Sequence, residues 1–285
     1  MIRVLSWNIQ NGKGVDGEVS LKRIADVINA MGTPDVICLQ EVSRGLALPG
    51  CAGKPDQVAE LSALFPDYET IFGVAVDSGA SGGGGRWQFG NAVLTRLPVL
   101  SLLCHILPRP AERGIRHMTR QATEITLAGG SGPLRIVNTH LEYHSLAQRL
   151  AQVDRLRDLQ REALEQRSDP PEVRPDGPYS AIPRPVDALL CGDFNMTLGS
   201  EEYRRLLAPL ASVETPFEDA WRIVHPGRDH DPTCGIFDRV QWPQGSHCRD
   251  FFFVAGDCAR RLRDLKVDTA TAASDHQPLM LSLAD

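Results

Sequence analysis

The stretch that most constrains the fold is Val186-Asp187-Ala188-Leu189-Leu190-Cys191-Gly192-Asp193-Phe194-Asn195. Its apolar run reads as a buried strand, closed by a glycine and then by an acid, an aromatic and an amide. Ends of buried strands are where open α/β sheets place their chemistry. Alternation sends the Asp193 carboxylate and the Asn195 amide to one side and turns Phe194 into the core. A carboxylate there binds a metal or activates water, and an amide holds an anionic oxygen. An Asx-rich turn uses the same letters, so the rest of the chain has to decide.

That chain repeats the pattern of a short apolar run ending in polar residues. Residues 2–7 form a strand that ends at Asn8. Ser20 caps a helix over 21–31, which stops at Gly32-Thr33-Pro34, and 35–39 is a second buried strand delivering Gln40-Glu41 at its end. A helix over 56–65 and a strand over 68–76 follow. The glycine-rich segment 78–86 lacks a P-loop ending and reads as a flexible surface loop with Arg86 at its base. Segments 89–95 and 99–106 read as neighbouring strands, 120–127 and 134–141 as a hairpin ending near His140. A long helix spans 145–167, its Arg, Glu and Gln side chains forming a solvated face. Segment 168–185 holds six prolines and reads as an extended loop within the domain, because the strand after it needs parallel neighbours from the first half. A short helix over 201–207, an irregular stretch over 208–245, and strands at 248–254, 262–267 and 278–283 complete the reading. One domain spans residues 1–285.

Composition narrows the function classes. The net charge is −6, with no basic tail or Lys/Arg block, which argues against a protein built to grip duplex DNA. Arg109, Arg113, Arg116 and Arg120 still allow a local basic patch. No apolar run is long enough to span a bilayer. The first residues start as a strand without the pattern of a secretory leader, so the expectation is a cytoplasmic protein with no transmembrane segment. Seven cysteines scattered over 285 residues do not make a disulfide framework. His225, His230, Cys234, His247 and Cys248 are zinc-capable but lack a tight ligand pair to organise them.

Polar residues thus gather at strand ends: Asn8, Glu41, His140, Asp193 with Asn195, Asp250, and Asp275 with His276. Oxygen donors without paired thiols favour Mg2+ or Mn2+ over zinc. One such ion with an Asp/His pair and an anion-holding Asn suits phosphoester hydrolysis. Trp7-Asn8, Leu39-Gln40-Glu41, Asn138-Thr139-His140-Leu141, Gly192-Asp193-Phe194-Asn195, Arg249-Asp250-Phe251 and Ser274-Asp275-His276 occur in an order that resembles the endonuclease/exonuclease/phosphatase superfamily, the DNase I-like fold. Gly90 to Arg96 also looks like the family's middle strand.

The resemblance implies an α/β fold (α+β in some schemes), a four-layer α/β/β/α sandwich of two mixed β-sheets flanked by helices. It implies Glu41 as the main metal ligand, assisted by Asn8 and Asp275. Asp193 would orient or deprotonate water, or contact the metal instead. Asn195 would hold the phosphate, His276 would contact it with Asp250 fixing the ring, and His140 would stabilise the transition state. Arg120 and Arg86 are added as substrate-binding candidates. Gln10 stands where many nuclease members carry an acid, which weakens the case for a second metal. His140 fits the sphingomyelinase and DNase-like branches better than the abasic-site endonucleases.

The expected activity is metal-dependent hydrolysis of a phosphodiester or phosphomonoester by in-line attack of water, on a small molecule or a nucleic acid, with no obligate protein partner. A nuclease acting on DNA or RNA is the alternative within the chemistry. A catalytically silent phosphate-binding protein is the alternative outside it.

Overall fold

The computed structural model describes residues 1–48, 53, 55–79, 85–174, 176–210 and 217–285. The first half contributes β1 (Ile2–Asn8), α1 (Leu21–Ala30), β2 (Val36–Arg44), α2 (Gln57–Leu64), β3 (Glu69–Gly79), β4 (Arg86–Thr95), β5 (Val99–Ile106), β6 (Gln121–Gly129) and β7 (Gly132–His140). The second half adds α3 (Leu146–Ser168), β8 (Ala188–Asp193), α4 (Glu201–Leu207), β9 (Glu218–Asp219) and α5 (Ala220–Val224). It closes with β10 (Asp250–Ala255), α6 (Cys258–Arg261), β11 (Leu262–Val267) and β12 (Leu279–Leu283).

The strands make two six-stranded sheets, ordered β11-β12-β1-β2-β4-β3 and β5-β6-β7-β8-β10-β9. Among the described residues only the two central pairs, β1/β2 and β7/β8, run parallel. Parallel neighbours need a crossover, and α1 and α3 supply them. Both crossover helices are capped as their sequences dictate: Ser20 accepts from Arg23 N and Ser145 from Gln148 N.

Alternation along each central strand sorts its side chains into layers. Val4, Val36, Cys38, Ile136, Leu189, Cys191 and Phe252 form the core between the sheets. Leu5, Trp7, Ile37 and Leu39 face the other way, against Ile24 and Ile28 of α1 and Leu61 of α2. Val137, Leu190 and Phe253 pack on Val153 and Leu156 of α3 and Leu206 of α4. The result is four layers built from two mixed sheets and flanking helices.

Several details differ from the sequence reading. Segments 89–95 and 99–106 are not neighbours: β4 already has β2 on one edge and β3 on the other, so β5 pairs with β6 in the second sheet. Strand β2 does not stop at Gln40-Glu41 but continues to Arg44 through a bulge. The ends of segment 78–86 belong to β3 and β4, and residues 80–84 lie outside the described residues. The 208–245 stretch contains β9 and α5. On α3, Gln148, Gln152 and Gln160 are buried rather than solvated. Their amides donate to the carbonyls of Pro110, Pro108 and Val186, groups that no sheet partner satisfies.

Candidate active site

The parity that sends Val4, Cys38, Ile136 and Cys191 into the inter-sheet core also puts Asn8, His140 and Asp193 on inner faces. They stand where the two parallel pairs reach the edge of the sandwich. Asn8 pairs with Gln40 and His140 with Asp193, so each sheet delivers its polar ends to one place. Glu41 has the wrong parity. The bulge between Leu39 and Val42, with Glu41 at φ +58°, turns its carboxylate from the helix side toward Asn8. Gly192 is fixed by a close approach: at φ +140°, a Cβ there would stand 1.8 Å from Thr139 O.

The resulting cleft has a volume of about 410 Å3, and Glu41, Arg120, His140, Asp193, Asn195 and His276 are in its wall. Asn8 Nδ2 donates to Glu41 Oε1 at 3.1 Å and to Asp193 Oδ2 at 3.0 Å, tying the two sheets together. Asn195, at φ +50°, donates from Nδ2 to Leu141 O at 3.0 Å and lies 3.1 Å from His140 Nε2. Its own N–H donates to Asp193 Oδ1 at 2.9 Å. His276 Nδ1 donates to Asp250 Oδ2 at 2.8 Å, which leaves Nε2 turned toward Asp193 Oδ2 at 3.7 Å. Phe194 turns the opposite way, edge-on to Phe251 and Phe253.

Charge is unevenly compensated here. Burial disfavours the His276 cation, but Asp250, Asp275 and Asp193 around it outweigh this and hold it protonated well above the usual histidine range. His140 is the reverse: burial, with the Arg120 charge beside it, lowers it to about 3, so it is a neutral ring. Burial resists ionisation of Asp193, yet the His276 charge and the Asn8 amide keep it below its ordinary value. Burial and the neighbouring Asp275 charge raise Glu41 to about 7, and burial raises Asp250 to about 6. Among the described residues no lysine or arginine pairs with Glu41. A hard cation beside Glu41 fits that surplus of negative charge, and Asn8 would join it through Oδ1, which here accepts from Gln10 N at 3.0 Å. Asp193, Asp250 and His276 also offer ligand atoms all within 4.8 Å of one another, a group able to hold a metal.

The profile of the endonuclease/exonuclease/phosphatase family matches residues 5–276. The chain belongs to this family. No curated protein matches it. Among solved structures, an endonuclease/exonuclease/phosphatase from Beutenbergia cavernae is 25% identical over 99% of this chain and 72% of its own, with a TM-score of 0.63. A mannosyl-6-phosphatase from Bacteroides thetaiotaomicron is 16% identical, covers 100% of both chains and has a TM-score of 0.67. TDP2 from Caenorhabditis elegans is 18% identical over 100% of this chain and 75% of its own, with a TM-score of 0.63. The fold is therefore the DNase I-like sandwich, in a family of hydrolases acting on phosphoester bonds.

Of the residues singled out by sequence, this family member brings Asn8, Glu41, His140, Asp193, Asn195, Asp250, Asp275 and His276 together, with Arg120 on the cleft wall. Asp275 Oδ2 lies 3.9 Å from His276 Nε2 and accepts from Gln241 Nε2 at 2.7 Å and Trp242 Nε1 at 3.2 Å. Arg86 is not brought in: it pairs with Asp77 in the β3–β4 hairpin. The zinc-capable residues also scatter. His225 bonds Leu265 O, His230 bonds Asp219 and Cys234 contacts His247, and among the described residues they form no group of three ligands. Thr233, Gln241, Trp242 and Arg249 were missed. Thr233 Oγ1 donates to Asp250 Oδ2 at 2.6 Å and so orients the acid that orients His276. All but Arg249 come from the stretch without periodicity, where a lone tryptophan among polar residues was the available signal.

Proposed function

We propose that this chain is a divalent-cation-dependent phosphoester hydrolase using Mg2+ or Mn2+. One observation carries the reading: a protonated histidine, a lowered carboxylate and an oriented amide face the same space in one cleft. Glu41 and Asn8 would hold the cation, with Asp275 adding negative charge nearby. When bound there, the ion supplies Lewis-acid polarisation of a phosphoryl oxygen. The Asp193, Asp250 and His276 group is already joined through the His276–Asp250 hydrogen bond, which supports its reading as catalytic machinery rather than as the ligand set.

The remaining roles follow from the side chains. Asp193 accepts the proton of the attacking water, or orients that water for in-line approach. His276 Nε2–H donates to a phosphoryl oxygen and offsets the charge that grows on it, while Asp250 and Thr233 keep the ring in place. Asn195 would meet a second phosphoryl oxygen by exchanging one of its two Nδ2 hydrogen bonds, to Leu141 O or His140 Nε2, for it, and Arg120 lends positive charge from the wall. His140, as a neutral ring, positions Asn195.

Hydrolysis of bis-p-nitrophenyl phosphate and p-nitrophenyl phosphate, with Mg2+, with Mn2+ and with chelator, tests this. Turnover should require the ion and vanish in Glu41→Ala and His276→Ala, both retaining the wild-type circular dichroism spectrum. Diester turnover alone indicates a phosphodiesterase and leads to nucleic acids; monoester turnover indicates a phosphatase. Turnover unaffected by chelator would sink the metal dependence. Metal binding without turnover of either ester would favour the silent binding protein.

A further inference from the structure

A second chamber of about 500 Å3 opens beside the catalytic cleft. Tyr143, His144 and Asn195 line both spaces. Tyr143 is 42% exposed at this junction. Rings and cations alternate along the boundary. Arg116 Nε lies 3.2 Å from His144 Nε2, and the His144 and Tyr143 rings meet edge to face at 4.8 Å. The Arg249 guanidinium lies 5.5 Å from the Tyr143 ring centre and 4.9 Å from that of Trp242. Trp242 in turn meets His276 edge to face at 5.7 Å.

The chamber's chemistry selects its occupant. Leu146 and Met196 make part of the wall apolar. Its one carboxylate, Glu202, is bound to Arg149 at 2.7 Å, so that pair attracts no anion. Arg249 directs donors to Asn195 O at 3.2 Å and His247 Nε2 at 2.7 Å, while its plane already lies over the Tyr143 and Trp242 rings and braces them. Walls of this kind hold a flat, uncharged ring, because stacking on aromatic and guanidinium planes tolerates different ring identities.

We propose that this chamber is a subsite for a planar ring carried by the phosphoester, stacked on Tyr143 while the phosphate lies between Asn195 and His276. The proposal rests on the phosphoester reading only for the group bound next door. Aryl esters and nucleotides share the required chemistry.

Calorimetric titration of the Mg2+-loaded protein with phenylphosphonate and methylphosphonate separates the two readings, since neither is hydrolysed and they differ by the ring. The wild type should prefer the phenyl compound by about tenfold, as expected for one stacked ring. Tyr143→Phe should keep that ratio. Tyr143→Leu should bring it close to one, and so should Leu146→Glu, a change at an exposed position that puts charge into the chamber. Adenosine 5′-monophosphate against ribose 5-phosphate, titrated into the Asp193→Asn protein so that neither ester is turned over, forms a second pair. A larger ratio in this pair assigns a nucleobase, and a larger ratio in the first assigns an aryl ester. Equal affinities within both pairs, or a preference that survives Tyr143→Leu, overturn the subsite and leave the phosphoester reading standing. Failure of all four ligands to bind overturns both.

Discussion

Replacing Glu124 by Gln tests how the proline-rich segment is held to the domain. Glu124 lies on β6, 2% exposed, and accepts from Arg184 Nε at 2.6 Å and Nη2 at 3.2 Å. Arg135 Nη1 at 3.5 Å and His105 Nε2 at 3.3 Å complete its surroundings. Arg184 belongs to the 168–185 loop and also reaches Glu162 of α3 at 3.0 Å, so one carboxylate pins sheet, loop and helix together. Glutamine keeps the shape and leaves two buried guanidinium groups short of a counter-charge, a loss of roughly 3–5 kcal/mol for buried pairs.

Linkage gives a second route to the magnitude. Burial resists ionisation of Glu124, but the nearby His105 ring, the hydrogen bonds from Arg184 and the Arg135 charge overcome it and lower its pKa from 4.5 to about 2. That difference corresponds to about 3 kcal/mol. Because the folded pKa is depressed, the stabilisation is complete above 4.5 and is lost as pH falls toward 2. With an unfolding entropy of about 0.6 kcal/mol/K for a chain of this size, Glu124→Gln should lower Tm by about 5–8 °C at pH 7. Melting followed by circular dichroism should show that gap narrowing between pH 4.5 and 3, with contributions of other carboxylates cancelling in the comparison. A gap unchanged from pH 7 to pH 3, or a Tm within about 1 °C of wild type at pH 7, would refute the reasoning.

Two further outcomes follow from the site. Gly192→Ala puts a Cβ 1.8 Å from Thr139 O, so β7 and β8 must part. Urea denaturation should report a loss of about 3 kcal/mol or more, and a loss below about 1 kcal/mol would show that the pair spreads easily. Asp250→Asn removes the negative charge that holds the His276 ring as a cation, so kcat should fall by about 10²- to 10⁴-fold with a smaller change in KM. A change confined to KM would place Asp250 in substrate binding instead.

Much of the fold was legible because its signals are local. Apolar runs of strand length, Ser20 and Ser145 at helix starts and glycine or proline at stops are dictated by neighbouring residues. The pairing of β5 was not, since only the occupied edges of β4 decide it. The buried glutamines of α3 escaped for a related reason: Gln148 and Gln160 look solvated until Pro110 O and Val186 O are seen waiting for donors. In the site, residues at strand ends could be found from the apolar run preceding each one. The bulge at Glu41 leaves no mark in composition, although it decides which way that carboxylate points. Thr233 and Gln241 act through hydrogen bonds across the irregular region, which no periodicity records.

The charge arrangement makes anion binding and cation binding interdependent. Glu41, Asp193, Asp250 and Asp275 face one protonated histidine, and Arg120 is offset by Glu142 at 3.3 Å. A phosphate entering this cleft alone meets a surplus of negative charge despite His276 and Asn195. A divalent ion held beside Glu41, as proposed, would reverse that balance. At a separation of about 5 Å and an effective dielectric of about 20, one pair of unit charges contributes about 3 kcal/mol, or roughly a hundredfold in affinity. The coupling is reciprocal, so phosphate should tighten Mg2+ binding by the same factor that Mg2+ tightens phosphate binding. Titration with inorganic phosphate in Mg2+ and in chelator, and with Mg2+ in the presence and absence of phosphate, closes that cycle. Phosphate affinity that is the same with and without Mg2+ would mean that the cation sits outside the reach of the anion, and that Glu41 is not where the two meet.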